Sequence, residues 1–208
     1  MSLLMTGASK RSLVVVPLLA LAALLFALSV ALGVVPACSR HDGGADDGTP
    51  VDTEIMAFLS EARALHHEAN MKEESGDLSG AVSAIERLVG ARRPHSDRKA
   101  PAAAPPEVEE VLADAYARLA ELRLKQGELD PAAGAVKNGL EHVAEATYFR
   151  GHLVEVQGLV EEARAAQLAD AGKPGEAAKA RERAIQLLEE VVRIQDQVIQ
   201  RSLGKDGG

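Results

Sequence analysis

Helical periodicity interrupted at three glycine turns constrains this chain more than any other feature. From Pro50 onward, apolar residues recur at three- and four-residue spacing in six segments, and no segment alternates as a strand would. Thr49, Pro50, Asp52 and Thr53 give start signals for the first, which carries Ile55, Leu59, Ala62, Leu65 and Ala69 and ends near Gly76. The second starts at Asp77 and carries Ala81, Val82, Ile85, Leu88 and Val89. Pro106 opens the third, with Val108, Val111, Leu112, Ala115, Leu119 and Leu122 in one stripe up to Gly127. Asp130 and Pro131 are expected to cap the fourth, which carries Ala133, Val136, Leu140 and Val143. The fifth is expected over residues 147–171 with Leu153, Val156, Val160 and Ala163 inward, and the sixth begins near Pro174 after a turn at 172–175. The expected fold class is therefore all-α, with the helices paired as three antiparallel hairpins over residues 51–204.

Composition agrees with that expectation. Aromatic residues make up 2% of the chain and tryptophan is absent, so a core must be built from Ala, Leu, Val and Ile. Alanine favours helix and is depleted in strands. A proline-rich connection at 94–106 excludes regular structure and marks a surface link within the domain.

The amino-terminal segment carries a different message. Lys10 and Arg11 precede an uncharged apolar run at 13–35, in the order of an export signal, with the positive end held on the cytoplasmic side. The run is long enough to span a bilayer, which about 20 residues suffice to do. It ends at Val35, Pro36, Ala37 and Cys38, which resemble the lipobox of bacterial lipoproteins, although Pro36 departs from the usual residue there. That resemblance implies cleavage before Cys38 and lipidation of its thiol, and Ser39 after it implies sorting to the outer membrane. Residues 1–38 are thus expected to be a signal or anchor, 39–50 a Gly- and Asp-rich disordered tether, and 205–208 a tail. The localisation implied is the bacterial cell envelope, lipid-anchored and facing the periplasm. An uncleaved single-pass inner-membrane anchor with an exported carboxy-terminal domain is the alternative.

The three turns share a pattern: Gly76, Asp77, Leu78, then Ala81 and Ile85; Gly127, Glu128, Leu129, then Ala132 and Val136; Gly172, then Ala177 and Ala184. This resembles the tetratricopeptide repeat, in which those glycine and alanine positions are hallmarks. Leu65 and Ala69 before Gly76, and Tyr116, Leu119 and Ala120 before Gly127, extend it upstream. The turn glycines stand 51 and 45 residues apart, against about 34 in the family, which implies longer helices or inserted links. The resemblance implies a short solenoid that binds an extended peptide or helix along the first helix of each pair. Counted back from the glycines, the implied groove positions are Arg63, His66, Asn70 and Glu73, then Asp114, Ala117 and Glu121. Asn70 takes the place where asparagine often holds a peptide backbone in the family.

Function classes narrow by what the residues permit. The chain carries 31 acidic and 23 basic residues, a formal charge of −8, and an acidic surface repels phosphate backbones. Arg92, Arg93, Arg98 and Lys99 form a short basic cluster without aromatic neighbours for base stacking, so no nucleic-acid partner is expected. No GxSxG, HExxH, paired CxxC or phosphate-binding glycine loop occurs, and no enzymatic activity is expected. His66 and His67 would point about 100° apart on a helix and do not converge on an ion, and Asp42, Asp46 and Asp47 lack a calcium-loop pattern. Neither a cofactor nor a metal is expected.

Two functional readings follow. The first is an envelope binding or assembly adaptor that captures a protein or peptide in the helical groove. The second is a structural or sensor domain that self-associates as a homodimer through its last helix, where Leu187, Val191, Ile194 and Val198 form one apolar stripe and Leu188, Val192 and Ile199 its neighbour.

Overall fold

The computed structural model describes residues 52–96 and 104–205, which are all-helical. Cys38 with its lipobox-like neighbours, the tether, most of the proline-rich connection and the last three residues lie outside the described residues. Six helices follow one another: α1 (Thr53–Glu74), α2 (Leu78–Val89), α3 (Pro106–Lys125), α4 (Leu129–Leu140), α5 (Tyr148–Asp170) and α6 (Pro174–Lys205). None of the described helices is long and apolar enough to cross a membrane.

The glycine turns end three helices in the same way. Gly76, Gly127 and Gly172 hold φ near +82°, +79° and +72°, a left-handed conformation that costs a residue without Cβ nothing. In each turn the glycine N–H donates to the carbonyl three residues back, as Gly76 does to Glu73 (2.9 Å). The next residue donates five back: Asp77 to Lys72 (2.8 Å), Glu128 to Arg123 (2.9 Å) and Lys173 to Leu168 (2.9 Å). These paired bonds satisfy helix-end carbonyls that would otherwise lack donors. That same residue then opens the following helix, accepting from Ala81, Ala132 and Ala177. All three alanines are fully buried, so the small side chain sits where the second helix meets the first.

Helix starts differ more. Asp52 caps α1 by accepting from the N–H groups of Glu54 (3.1 Å) and Ile55 (3.2 Å), and Thr147 caps α5 by accepting from Arg150 (3.2 Å). Helix α4 departs from expectation: it starts at Leu129 behind Glu128, so Asp130 and Pro131 sit inside its first turn rather than capping it. Proline is tolerated there because first-turn N–H groups have no helical partner. Val143 lies beyond the end of α4, buried in the loop to α5. Pro94 is buried too, and the adjoining His95 takes a positive φ of 62°. Its ring meets Asp52 at 2.6 Å, and its N–H donates to Glu54 at 2.8 Å, which fastens the start of the connection to the start of α1.

Consecutive helices pack on one another throughout, α5 and α6 most extensively. The odd helices also touch, α1 with α3 and α3 with α5, whereas α2, α4 and α6 make no contact among themselves. One apolar cluster runs through α1 to α4 and takes Val156 and Val160 from α5. A smaller one joins Val154 to Val191 and Ile194, so α6 is held mainly by α5. Close approach of α4 depends on Gly139. A Cβ placed there would meet Leu153 Cδ2 at 2.6 Å and Tyr116 Cβ at 2.8 Å.

Candidate functional site

The contact of α1 with α3 and of α3 with α5 brings the predicted groove residues onto one face. His66, Asn70 and Glu73 of α1 face Asp114 and Glu121 of α3, and the hub between them is Arg118, which periodicity alone did not single out. Its guanidinium donates to Asn70 Oδ1 (3.2 Å), to Glu121 Oε2 (3.2 Å) and to the carboxylate of Glu73. Lys125 donates to the other oxygen of Glu73. His152 of α5 completes the set, with Nε2 3.1 Å from Glu121 Oε1 and Nδ1 4.0 Å from Asp114 Oδ1. Asp114 also stands 3.8 Å from His66 Nε2. Three helices are thus tied across one polar face.

Burial and charge set the protonation states. The hydrogen bond with Glu121 holds the His152 imidazolium above its ordinary range, outweighing the cost of partial burial, with Asp114 and Glu155 adding to the effect. The same bond, then Arg118, holds the Glu121 carboxyl below its ordinary range. Glu73 is lowered first by Lys125 and then by Arg118. His66 moves the other way from His152: burial depresses it, the Arg118 cation depresses it further, and the Asp114 carboxylate only partly offsets both. Lys125, Arg118 and His152 thus hold Glu73 and Glu121 toward their ionised forms, while His152 is held toward its charged form and His66 toward its neutral one.

The remaining predicted positions behave differently. Ala117 is buried beneath the face in contact with Ala113, Val143 and Leu153 and presents nothing to a partner. Arg63 is exposed and makes no ion pair among the described residues. Asn70 engages Arg118 through its carbonyl oxygen, and its amide nitrogen makes no hydrogen bond among the described residues. At the α5 end the face runs into a cleft of about 220 Å³ between Tyr148, His152 and Glu155 on one side and Gln195, Val198 and Ile199 of α6 on the other. Tyr148 is 70% exposed at its rim.

The stripe predicted as a helix–helix interface packs within the chain. Val191 and Ile194 are buried against Val154 of α5, and Leu187 and Val198 flank them half-buried. The neighbouring line is the one left in solvent: Ile185, Leu188, Val192, Ile199 and Leu203. No group of three or more metal-ligating side chains able to hold an ion occurs among the described residues.

Arg118 carried a sequence signal that spacing from the glycine alone obscured. It lies four residues after Asp114 and three before Glu121, hence on the same face of α3. His152 carried none, because it stands 20 residues before Gly172 whereas Asp114 stands 13 before Gly127 and His66 10 before Gly76. Which residues meet depends on how helices of unequal length are offset, and that offset is tertiary. Compared with protein-family models and with curated protein sequences, the chain matches none.

Proposed function

We propose that this chain is an envelope binding or assembly adaptor: a short tetratricopeptide-like solenoid that captures a protein or peptide segment along the face of α1, α3 and α5, tethered to a membrane through its amino-terminal segment. The observation that carries this reading is the side-by-side packing of the odd helices, which gathers Asn70, Glu73, Arg118, Glu121 and His152 into one polar face, with Arg63 exposed two turns before Asn70 on α1. The repeated glycine turn with its buried alanine supports the solenoid reading, since a unit that recurs with the same hydrogen bonds stacks on its neighbour through the same small residue.

Most charges on the face are engaged with each other, so they hold the three helices in register more than they attract ligand. What is offered to a partner is the Arg63 guanidinium, the Asn70 amide N–H groups and the apolar cleft beside Tyr148. Asn70 can donate to a backbone carbonyl while Arg118 fixes its orientation, which lowers the entropy cost of binding an extended segment. Anchoring at the membrane would raise the effective concentration of the site toward partners held at the same surface.

Crosslinking and affinity capture of the full chain from bacterial envelopes tests this. A defined partner recovered with the native chain and lost with Asn70→Ala or Arg63→Glu is expected. A partner recovered undiminished with both variants removes the groove from consideration. Mass spectrometry of the mature amino terminus tests the anchor separately: a diacylated or triacylated Cys38 at the new terminus is expected, and an unmodified Cys38 within an uncleaved chain would reject lipoprotein processing.

A further inference from the structure

Every even helix but the last is covered on two sides. Helix α2 packs between α1 and α3, and α4 between α3 and α5, whereas α6 packs, among the described helices, on α5 alone. Each added odd helix sits against both members of the pair before it, α3 on α1 and α2, α5 on α3 and α4. The same seat exists on the α5–α6 pair, where no described helix fills it.

Its surface is apolar in the right place. Ile185, Leu188, Val192, Ile199 and Leu203 are between 43% and 64% exposed and run along one line of α6, a span of about 27 Å at 1.5 Å per residue. The line adjoins the buried Val191 and Ile194, so the apolar arc of α6 is wider than α5 can cover. Leu188 Cδ2 lies 3.4 Å from where a Cβ of Gly158 would be, which keeps the α5 side of the seat low. The cleft between Tyr148 and Ile199 ends it.

Charge selects the occupant. Glu182, Glu189 and Asp196 recur at seven-residue intervals along the far flank of the line, exposed and without an ion-pair partner among the described residues, and outnumber Arg193, the cation interleaved with them. Glu155 stands on the α5 side. Two copies of α6 laid antiparallel on each other would set this acidic row against itself, and like charges directly opposed are unfavourable. We infer that the α5–α6 seat docks one amphipathic helix of a partner protein, carrying an apolar stripe flanked by lysine or arginine. The line from Ile185 to Val192 lies outside the face of α1, α3 and α5, and the seat meets that face only at the cleft beside Ile199, so it stands whether or not the groove binds.

The test uses the full chain in nanodiscs of zwitterionic lipid, with empty discs as background, and two labelled helical peptides of about 20 residues. Both carry leucine at the a and d positions of a heptad; one has lysine on the flanks and the other glutamate. The lysine peptide is expected to bind at least about tenfold more tightly and to weaken with salt. Val192→Asp or Ile185→Asp, both at solvent-exposed positions, should abolish that binding while Asn70→Ala leaves it intact. A photo-reactive residue at position 199 should crosslink to the lysine peptide, and one at the neighbouring Gln197 should not. Equal binding of the two peptides, or binding indifferent to both aspartate variants, overturns the proposal. So does a position-199 crosslink formed only between two chains, which assigns the face to a second copy, or only to lipid.

Discussion

Helices α3 and α6 draw on similar residues and end in opposite circumstances. Of the 20 residues of α3, eight are buried, because α1, α2, α4 and α5 all pack around it. Among the described side chains of the 32-residue α6 only Ala177, Ala180, Ala184, Val191 and Ile194 are buried, and five large apolar side chains stay in solvent. Both helices carry wide apolar arcs, so amphipathic pattern does not separate them. What separates them is the number of neighbours on hand to cover the arc. Helix α3, with four described neighbours, has its pattern used by the fold, whereas α6, with one, leaves part of its own in solvent.

The sharpest way to break this comparison is to truncate one side chain in each helix. Leu112→Ala in α3 removes a fully buried group from the main cluster and is expected to cost about 3 kcal/mol of stability. Val192→Ala on α6 is expected to change stability by less than about 0.5 kcal/mol, since its side chain is 56% exposed. Urea unfolding at fixed pH measures both. Equal losses would mean that the α6 line is covered in the isolated chain after all.

A second contrast sharpens the same lesson inside one helix. Gly139 and Gly134 both sit in α4, five residues apart, and helix propensity alone would favour alanine at each. At Gly134 nothing lies within 4 Å of a new Cβ, so Gly134→Ala should stabilise by about 0.5 to 1 kcal/mol. At Gly139 the methyl would drive into Leu153 and Tyr116 where α3, α4 and α5 converge, and Gly139→Ala should destabilise by about 2 kcal/mol. Thermal melts of the two variants should therefore move in opposite directions. Two shifts of the same sign would show that the convergence of these helices is looser than the distances imply.

Much of the fold was legible because its determinants are local. Asp52, Asp77 and Thr147 cap helices as short-range hydrogen-bonding rules require, and each turn glycine forces a left-handed end. The buried stripes of α1 to α3 follow three- and four-residue spacing. Phe58 and Ala84 escaped that count yet are buried, since helical stripes are wider than any single template line. Pro131 misled because a proline in a first turn marks a helix start only to within a few residues. For the candidate site, His66, Asn70, Glu73, Asp114 and Glu121 share one face where α1 meets α3. Arg118 as the hub, and His152 as the third-helix member, required knowing how helices of unequal length are offset. On α6 the pattern showed two adjacent apolar lines, and only packing decided which one α5 covers.

The polar face predicts a smaller effect than the core. Arg118→Ala removes donors from Glu73, Glu121 and Asn70, but Lys125 still serves Glu73 and His152 still serves Glu121. A loss of about 1 kcal/mol is expected, against no measurable loss for Arg193→Ala on the outer side of α6. Nuclear magnetic resonance adds a reading that simple loss of packing would not give. Without the Arg118 cation, the Asp114 carboxylate is the remaining charge acting on His66, so its pKa should rise toward the ordinary 6.5. A His66 titration that stays where it was would detach Arg118 from this network.

The smallest expected effect is also the one that tests how α5 is tied to α3. His152 has its pKa raised by Glu121, so the stability it contributes is fully present below pH 6.5 and is lost as pH rises through its higher folded value. Glu121 has its pKa lowered, so its contribution is present above pH 4.5 and is lost as pH falls through its folded value. The pair is therefore at full strength between about pH 4.5 and 6.5. His66 runs against it: with its pKa depressed by burial, its contribution is present above pH 6.5 and lost on acidification through its folded value. In the native chain the two histidines act in adjoining windows, His66 below pH 6.5 and His152 above it. His152→Gln removes one of them, so its cost should be about 0.5 kcal/mol at pH 5.5 and should shrink by pH 9, while the rise of stability toward pH 6.5 that His66 sets stays in both chains. Urea midpoints of the two chains at both pH values measure this. A cost independent of pH would mean that His152 joins α5 to α3 by packing alone, and that the two ends of the polar face are as different in kind as α3 and α6.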